Sequence, residues 1–201
     1  MKVAVLDLGL GNLLSIRRGF ERAGAEVAVI ESDKGIDVRA DAVILPGVGA
    51  FRDGIVAMSN FNNTLEEVKA GEKTLLGVCL GMQMLFTKSY EGGEYGGLDL
   101  IKGEVVRLPD TVKVPHMGWN SVKLTKASRL TEGLKDEEYF YFVHSYYCRL
   151  DEDVGISETD YGTIIASMVE KGNVYGTQFH PEKSGPAGAK IIKNFLEASR
   201  R

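Results

Sequence analysis

Four short, almost wholly apolar runs punctuate the first eighty positions: residues 2–7 (KVAVLD), Glu26–Ile30, Ala42–Leu45 and Thr74–Val78. Each has strand length, and apolar runs without polar alternation belong to strands buried on both faces. Helical stretches lie between them. Gly9-Leu10-Gly11 forms a turn, and Asn12 then caps a helix with Leu13, Ile16, Phe20 and Ala23 on its apolar face, ended by Gly24. Further helices are expected over 64–70 and from 80 to about 86. This alternation predicts a parallel sheet covered on both faces by helices.

The second half changes character. Residues 102–108, 112–114, 121–124 and 139–148 read as strands, and 164–169 and 174–179 flank a hairpin turn at Lys171-Gly172-Asn173. An amphipathic helix over 187–199 closes the chain. No repeat or linker divides the sequence, so the expected fold is one α/β domain over 1–201, flavodoxin-like. Its central, mainly parallel sheet is flanked by helices and carries an antiparallel extension. In open sheets of this kind, sites form at the carboxyl ends of the strands.

The run Thr74–Val78 leads directly into Gly77-Val78-Cys79-Leu80-Gly81. A residue in a sharp strand-to-helix turn projects above the sheet, and flanking glycines remove side chains that would clash there. The following helix would favour a thiolate at Cys79 and aim the Leu80 N–H at an oxyanion beside the sulfur. By itself the pentapeptide is also the pattern of a buried cysteine between packing glycines. A second motif, Gln178-Phe179-His180-Pro181-Glu182, separates the two readings. Pro181 pushes His180 toward an extended conformation, where residues two apart share a side. Glu182 can then orient the imidazole, completing a nucleophile, a base and an orienting acid. Pro46-Gly47-Val48-Gly49 ends another strand and offers a second oxyanion donor, or only a turn.

These motifs, in this order and spacing, resemble the class I, triad-type glutamine amidotransferases across almost the whole chain. Gly9-Leu10-Gly11-Asn12, Pro46 to Phe51 and Pro115-His116-Met117-Gly118-Trp119-Asn120 are most similar to the branch serving histidine biosynthesis. The resemblance implies hydrolysis of L-glutamine by Cys79, His180 and Glu182 through a thioester, with Gly47, Val48 and Leu80 forming the oxyanion hole. It implies Gln83, Glu91, Gly49 and the backbone of Ser145 and Tyr146 as substrate contacts, although Glu94 in the same loop is an alternative to Glu91. It also implies a partner: a (β/α)8-barrel cyclase that forms imidazole glycerol phosphate from the ammonia and gates the loop of Gly47 and Val48. Asn12, Trp119, Tyr141, His144 and Lys183 would face that cyclase or its ammonia entrance. Each has a plainer role open to it as helix cap, core aromatic, strand histidine or surface lysine. No cofactor or metal is implied. Other glutaminase subunits, such as that of anthranilate synthase, and a non-catalytic module of the same fold remain alternatives.

Composition narrows the partners. A net charge of -4 without a basic run gives no reason to expect nucleic acid. No apolar run approaches membrane-spanning length, and none resembles a secretory leader. The two cysteines, Cys79 and Cys148, fit a reducing compartment, so a cytoplasmic location is expected. Cys148 reads as a buried strand cysteine without chemistry.

Overall fold

The computed structural model describes residues 1–34 and 39–200. In chain order the first half comprises β1 (Lys2–Leu6), α1 (Leu13–Arg22), β2 (Glu26–Ile30), β3 (Ala42–Leu45), α2 (Phe51–Met58), α3 (Asn62–Lys69), β4 (Thr74–Val78) and α4 (Leu80–Met84). The second half comprises β5 (Phe86–Ser89), β6 (Tyr95–Gly96), β7 (Ile101–Arg107), β8 (His116–Leu124), β9 (Glu137–His144), β10 (Tyr146–Leu150), β11 (Gly155–Asp160), β12 (Ile164–Lys171), β13 (Val174–Thr177) and α5 (Gly185–Ala198).

The expected α/β architecture is present. One nine-stranded sheet runs β2-β1-β3-β4-β13-β12-β11-β8-β9. Its first five strands are parallel, and β12, β11, β8 and β9 extend it antiparallel. The apolar runs β3 and β4 are buried throughout, as both-face coverage requires, whereas β2 at the edge is half open. Alternate residues feed two cores. Val3 and Val5 join Ile16 and Phe20 of α1 and Ile191, Ile192 and Phe195 of α5 on one face. Leu6, Val43 and Leu45 join Phe51, Val68, Met82 and Met84 on the other. Burying each large apolar side chain contributes about 1.5–3 kcal/mol. Among the described residues, no helix is long and apolar enough to cross a membrane.

Several expectations need correction. Residues 112–114 are not a strand: the Val112 N–H donates to the Pro109 carbonyl in a turn, and Pro115 has no N–H for a ladder. Residues 139–148 are not one strand but the ends of two sheets. The chain leaves β9 at His144, turns at Ser145 and enters β10 of a separate four-stranded sheet, β10-β7-β5-β6. The helix after Cys79 stops at Met84, because Phe86 and Thr87 start β5 with aromatic and β-branched side chains suited to strands. Helix α2 and strands β5, β6 and β11 had no counterpart in the sequence reading. α2 has no side-chain cap, and its interior glycine, Gly54, weakens any helical signal. Gly54 is there because a Cβ would meet the Met84 sulfur at 2.5 Å.

Candidate active site

Parallel register brings the chemistry together. β4 and β13 are neighbours with Val78 opposite Thr177, and the Cys79 N–H donates to the Thr177 carbonyl at 2.7 Å. Cys79 therefore stands one residue past β4, beside the segment that carries His180 three residues past β13. At φ 56° and ψ -109°, Cys79 occupies a backbone region that costs a non-glycine residue about 1–3 kcal/mol. Its neighbours hold it there. A Cβ on Gly77 would lie 2.6 Å from the Gly81 carbonyl oxygen, and one on Gly81 would be driven into the Leu45 carbonyl. Gly77 is thus obligatory for α4 to fold back over β4, and Gly81 for α4 to pack against β3.

His180 is buried, and its Nδ1 lies 2.9 Å from Glu182 Oε1. The route to this pair differs from the one expected. His180 itself is extended, at φ -96° and ψ 98°, but Pro181–Lys183 forms a 3-10 turn that swings Glu182 back toward the ring. The turn is anchored: the His180 N–H donates to the Tyr141 carbonyl at 2.9 Å, and the Ser184 hydroxyl donates to the His180 carbonyl at 2.6 Å. Phe179 stacks on Phe140 at 4.0 Å beneath it.

The imidazole pKa stands at about 9. Burial lowers it, but the nearby Cys79 sulfur, and the Glu182 carboxylate hydrogen-bonded at Nδ1, outweigh burial and favour the proton. The His180 Nε2 and the second Glu182 oxygen are buried without a hydrogen-bond partner among the described residues. Nε2 is therefore an uncommitted group within electrostatic reach of the thiol. The Cys79 sulfur is also 3.8 Å from Gln178 Nε2 and 3.7 Å from the Val143 carbonyl.

A cavity of about 300 Å³ opens beside the sulfur, lined by Val48, Gly49, Cys79, Leu80, Gln83, Glu91, Val143, His144, Ser145 and Tyr146, with Pro115 at its edge. The residues assigned to the substrate and Val48 and Leu80 of the oxyanion set all meet here. Among the described residues, none accepts a hydrogen bond from the Val48 N–H. The two loop acids separate: Glu91 faces the cavity and accepts from the Phe51 N–H at 2.8 Å, while Glu94 points outward toward Lys88 at 3.4 Å. Gln83 Nε2 donates to the Tyr146 carbonyl at 2.8 Å and to Gln178 Oε1 at 3.1 Å.

A second, much smaller cavity lies on the His180 side, lined by Gly11, Asn12, Pro46, Gly47, Val48, His180, Glu182 and Lys183. Asn12 caps α1 as expected, accepting from the Ser15 N–H at 3.1 Å. Trp119, 57% exposed, meets Tyr141 edge-on at 6.2 Å, and the Lys183 ammonium sits 5.9 Å from the Tyr141 ring centre. His144 does not join this group. It is buried, lines the larger cavity and bonds to His116. Cys148 is buried in β10, where burial and then the Cys79 charge push its thiol pKa well up. Sequence reading did not single out Gln178, Ser184 or the ring of His116. Only the flanks of the second motif and the Pro-His-Met-Gly-Trp-Asn segment carried a trace of them.

Comparison with known proteins agrees with this geometry. A family model described as "Glutamine amidotransferase class-I" matches residues 4–198. The imidazole glycerol phosphate synthase subunit HisH of Methanothermobacter thermautotrophicus is 46% identical, over 98% of this chain and 99% of the relative. The protein of the same name from Archaeoglobus fulgidus is 45% identical, over 99% of this chain and 100% of the relative. Among solved structures, PurLQS from Thermotoga maritima superposes with a TM-score of 0.75 at 20% identity, over 99% of both chains. That last likeness is one of fold.

Proposed function

The chain belongs to the class-I glutamine amidotransferases, and from that premise we propose that it is the glutaminase subunit of an imidazole glycerol phosphate synthase. In this reading one domain over 1–201 hydrolyses glutamine in the cytoplasm and passes ammonia to a (β/α)8-barrel cyclase as a heterodimer. The observation that carries it is a thiol on a strained elbow, open to a cavity of amino-acid size and electrostatically coupled to an imidazole held near pKa 9. Near-full-length identity to two synthase subunits supports the choice of synthase.

The chemistry follows from the placement of the groups. Glutamine enters with its ammonium toward Glu91, its amide toward Cys79 and its carboxylate toward the Ser145–Tyr146 backbone. The Cys79 thiolate adds to the amide carbon, and the carbonyl oxygen becomes an oxyanion facing the N–H groups of Leu80 and Val48 in the Gly47–Gly49 loop. One such donor is worth about 3 kcal/mol in the transition state. Protonated His180 gives its proton to the departing ammonia. The neutral ring then takes a proton from water, whose oxygen attacks the thioester and releases glutamate. Glu182 stabilises the imidazolium at each turn of this cycle.

Ammonia protonated in bulk water has no lone pair to attack with, so its exit must be sheltered. Asn12 and Lys183 line the small cavity on the His180 side, and the exposed Trp119 adjoins Tyr141 next to it. This is the face we assign to the cyclase. Gly49, at φ 112°, gives the oxyanion loop the freedom that gating by the partner needs.

Pairing the chain with its cyclase tests the reading. Cys79→Ala should abolish synthesis driven by glutamine and leave synthesis driven by ammonium salt intact. Retained use of glutamine would refute the nucleophile.

A further inference from the structure

Beyond the triad, one hydrogen-bonded chain reaches the cavity with every proton in a determined place. The Tyr146 carbonyl accepts from Gln83 Nε2 at 2.8 Å and lies 2.8 Å from His144 Nδ1. A carbonyl only accepts, so His144 Nδ1 carries hydrogen. Burial, opposed by that bond to Tyr146 and aided by the charges of His116 and His180, pushes His144 down to about 3; burial alone pushes His116 down to about 4. Both rings are neutral at pH 7. His144 Nε2 is then a lone pair, and His116 Nδ1, 3.0 Å away, must be the donor to it. That leaves His116 Nε2 to accept from Asn120 Nδ2 at 3.3 Å. Asn120 cannot turn over, because its Oδ1 accepts from the Ser121 N–H at 2.8 Å and its Nδ2 also donates to the Asp160 carbonyl at 3.3 Å. The His116 ring is clamped between Tyr161, stacked at 3.9 Å, and Phe142 at 4.7 Å.

We infer that His116, acting through His144, is a positioning residue that fixes the Tyr146 carbonyl and thereby the wall of the cavity against which glutamine is seated. This rests on the glutaminase reading above. The need for such a device is visible in the fold: Tyr146 opens β10 at the edge of the four-stranded sheet, immediately after the chain has left the nine-stranded sheet at His144, and its carbonyl is held by the side chains of Gln83 and His144. Gln83 on α4 holds that carbonyl from one side and the two histidines hold it from the other. His116 itself is not among the residues lining the cavity, so its effect on substrate passes through His144.

Two measurements decide it. Long-range ¹⁵N–¹H spectra of the wild-type chain at pH 7 should show both rings neutral with hydrogen on Nδ1, the minority tautomer of a free histidine side chain. Hydrogen on Nε2 of either ring would overturn the chain of bonds. In the cyclase complex, His116→Phe should raise KM for glutamine about tenfold, the scale of one buried hydrogen bond, with kcat changed far less. Synthesis from ammonium should stay unchanged. His116→Asn places an amide nitrogen near the Nδ1 position and should recover most of the loss, which a merely space-filling role would not allow. An unchanged KM in His116→Phe, in a complex whose wild type uses glutamine, refutes the positioning role alone. A wild-type complex inert toward glutamine refutes the parent reading and this one with it.

Discussion

In the proposed mechanism His180 is an acid when ammonia leaves and a base when water attacks, and its surroundings set that balance. Burial works against the proton, while Cys79 and the Glu182 carboxylate work for it, and the result is a ring protonated up to about pH 9. Because this value lies above that of an unfolded histidine, the pairing contributes stability fully below about pH 6.5 and loses it as pH rises through about 9. Replacing Glu182 by Gln removes one of the opposing influences and leaves burial in place. The alkaline limb of kcat/KM for glutamine should move from about 9 toward acid, and kcat should fall about 10²-fold or more. An unmoved limb would show that Glu182 does not set the charge on the ring. At this scale the sequence was most informative, since elbow and base each lie within five consecutive residues. What it missed was the path of the chain: extended alternation would have put Glu182 beside the ring, whereas a 3-10 turn does so. The ring roles of His116 and His144 depend on a pairing 28 residues apart, which no local spacing announces.

Elements place these residues through close backbone approach. α4 lies so near β3 that the Gly81 position has no room for a methyl group against the Leu45 carbonyl. Gly81→Ala should therefore destabilise the chain by about 3 kcal/mol and remove glutaminase activity, as read by urea unfolding and turnover in the complex. Gly96→Ala, where nothing lies within 4 Å, serves as the neutral control. Equal unfolding midpoints for the two variants would contradict the tight packing of the elbow. β1, β3, β4 and α1 were legible because burial on both faces and a capped amphipathic stripe leave local signatures. The division of residues 139–148 at Ser145 was not, because β9 and β10 have similar strand-forming compositions, and only their different partners separate them.

The whole molecule is built on a mixed sheet whose parallel strand ends hold the thiol and imidazole, with a second sheet closing one wall of the proposed substrate cavity. Only part of that second sheet was legible in the sequence: 102–108 read as a strand and is β7, and 139–148 contained β10, but β5 and β6 are short, and their pairing with β7 is decided by packing against Phe86, Ile101 and Val105 in the shared core. This sheet brings Tyr146 against Gln83 and keeps Cys148 away from solvent. The central claim is that, of two buried cysteines, the one at the elbow alone meets glutamine. Treating the assembled complex with a glutamine-mimicking electrophile and mapping the modified peptide tests it most directly. The adduct should sit on Cys79 only, and excess glutamine should prevent it. An adduct on Cys148, or labelling of Cys79 that glutamine does not slow, would contradict the account.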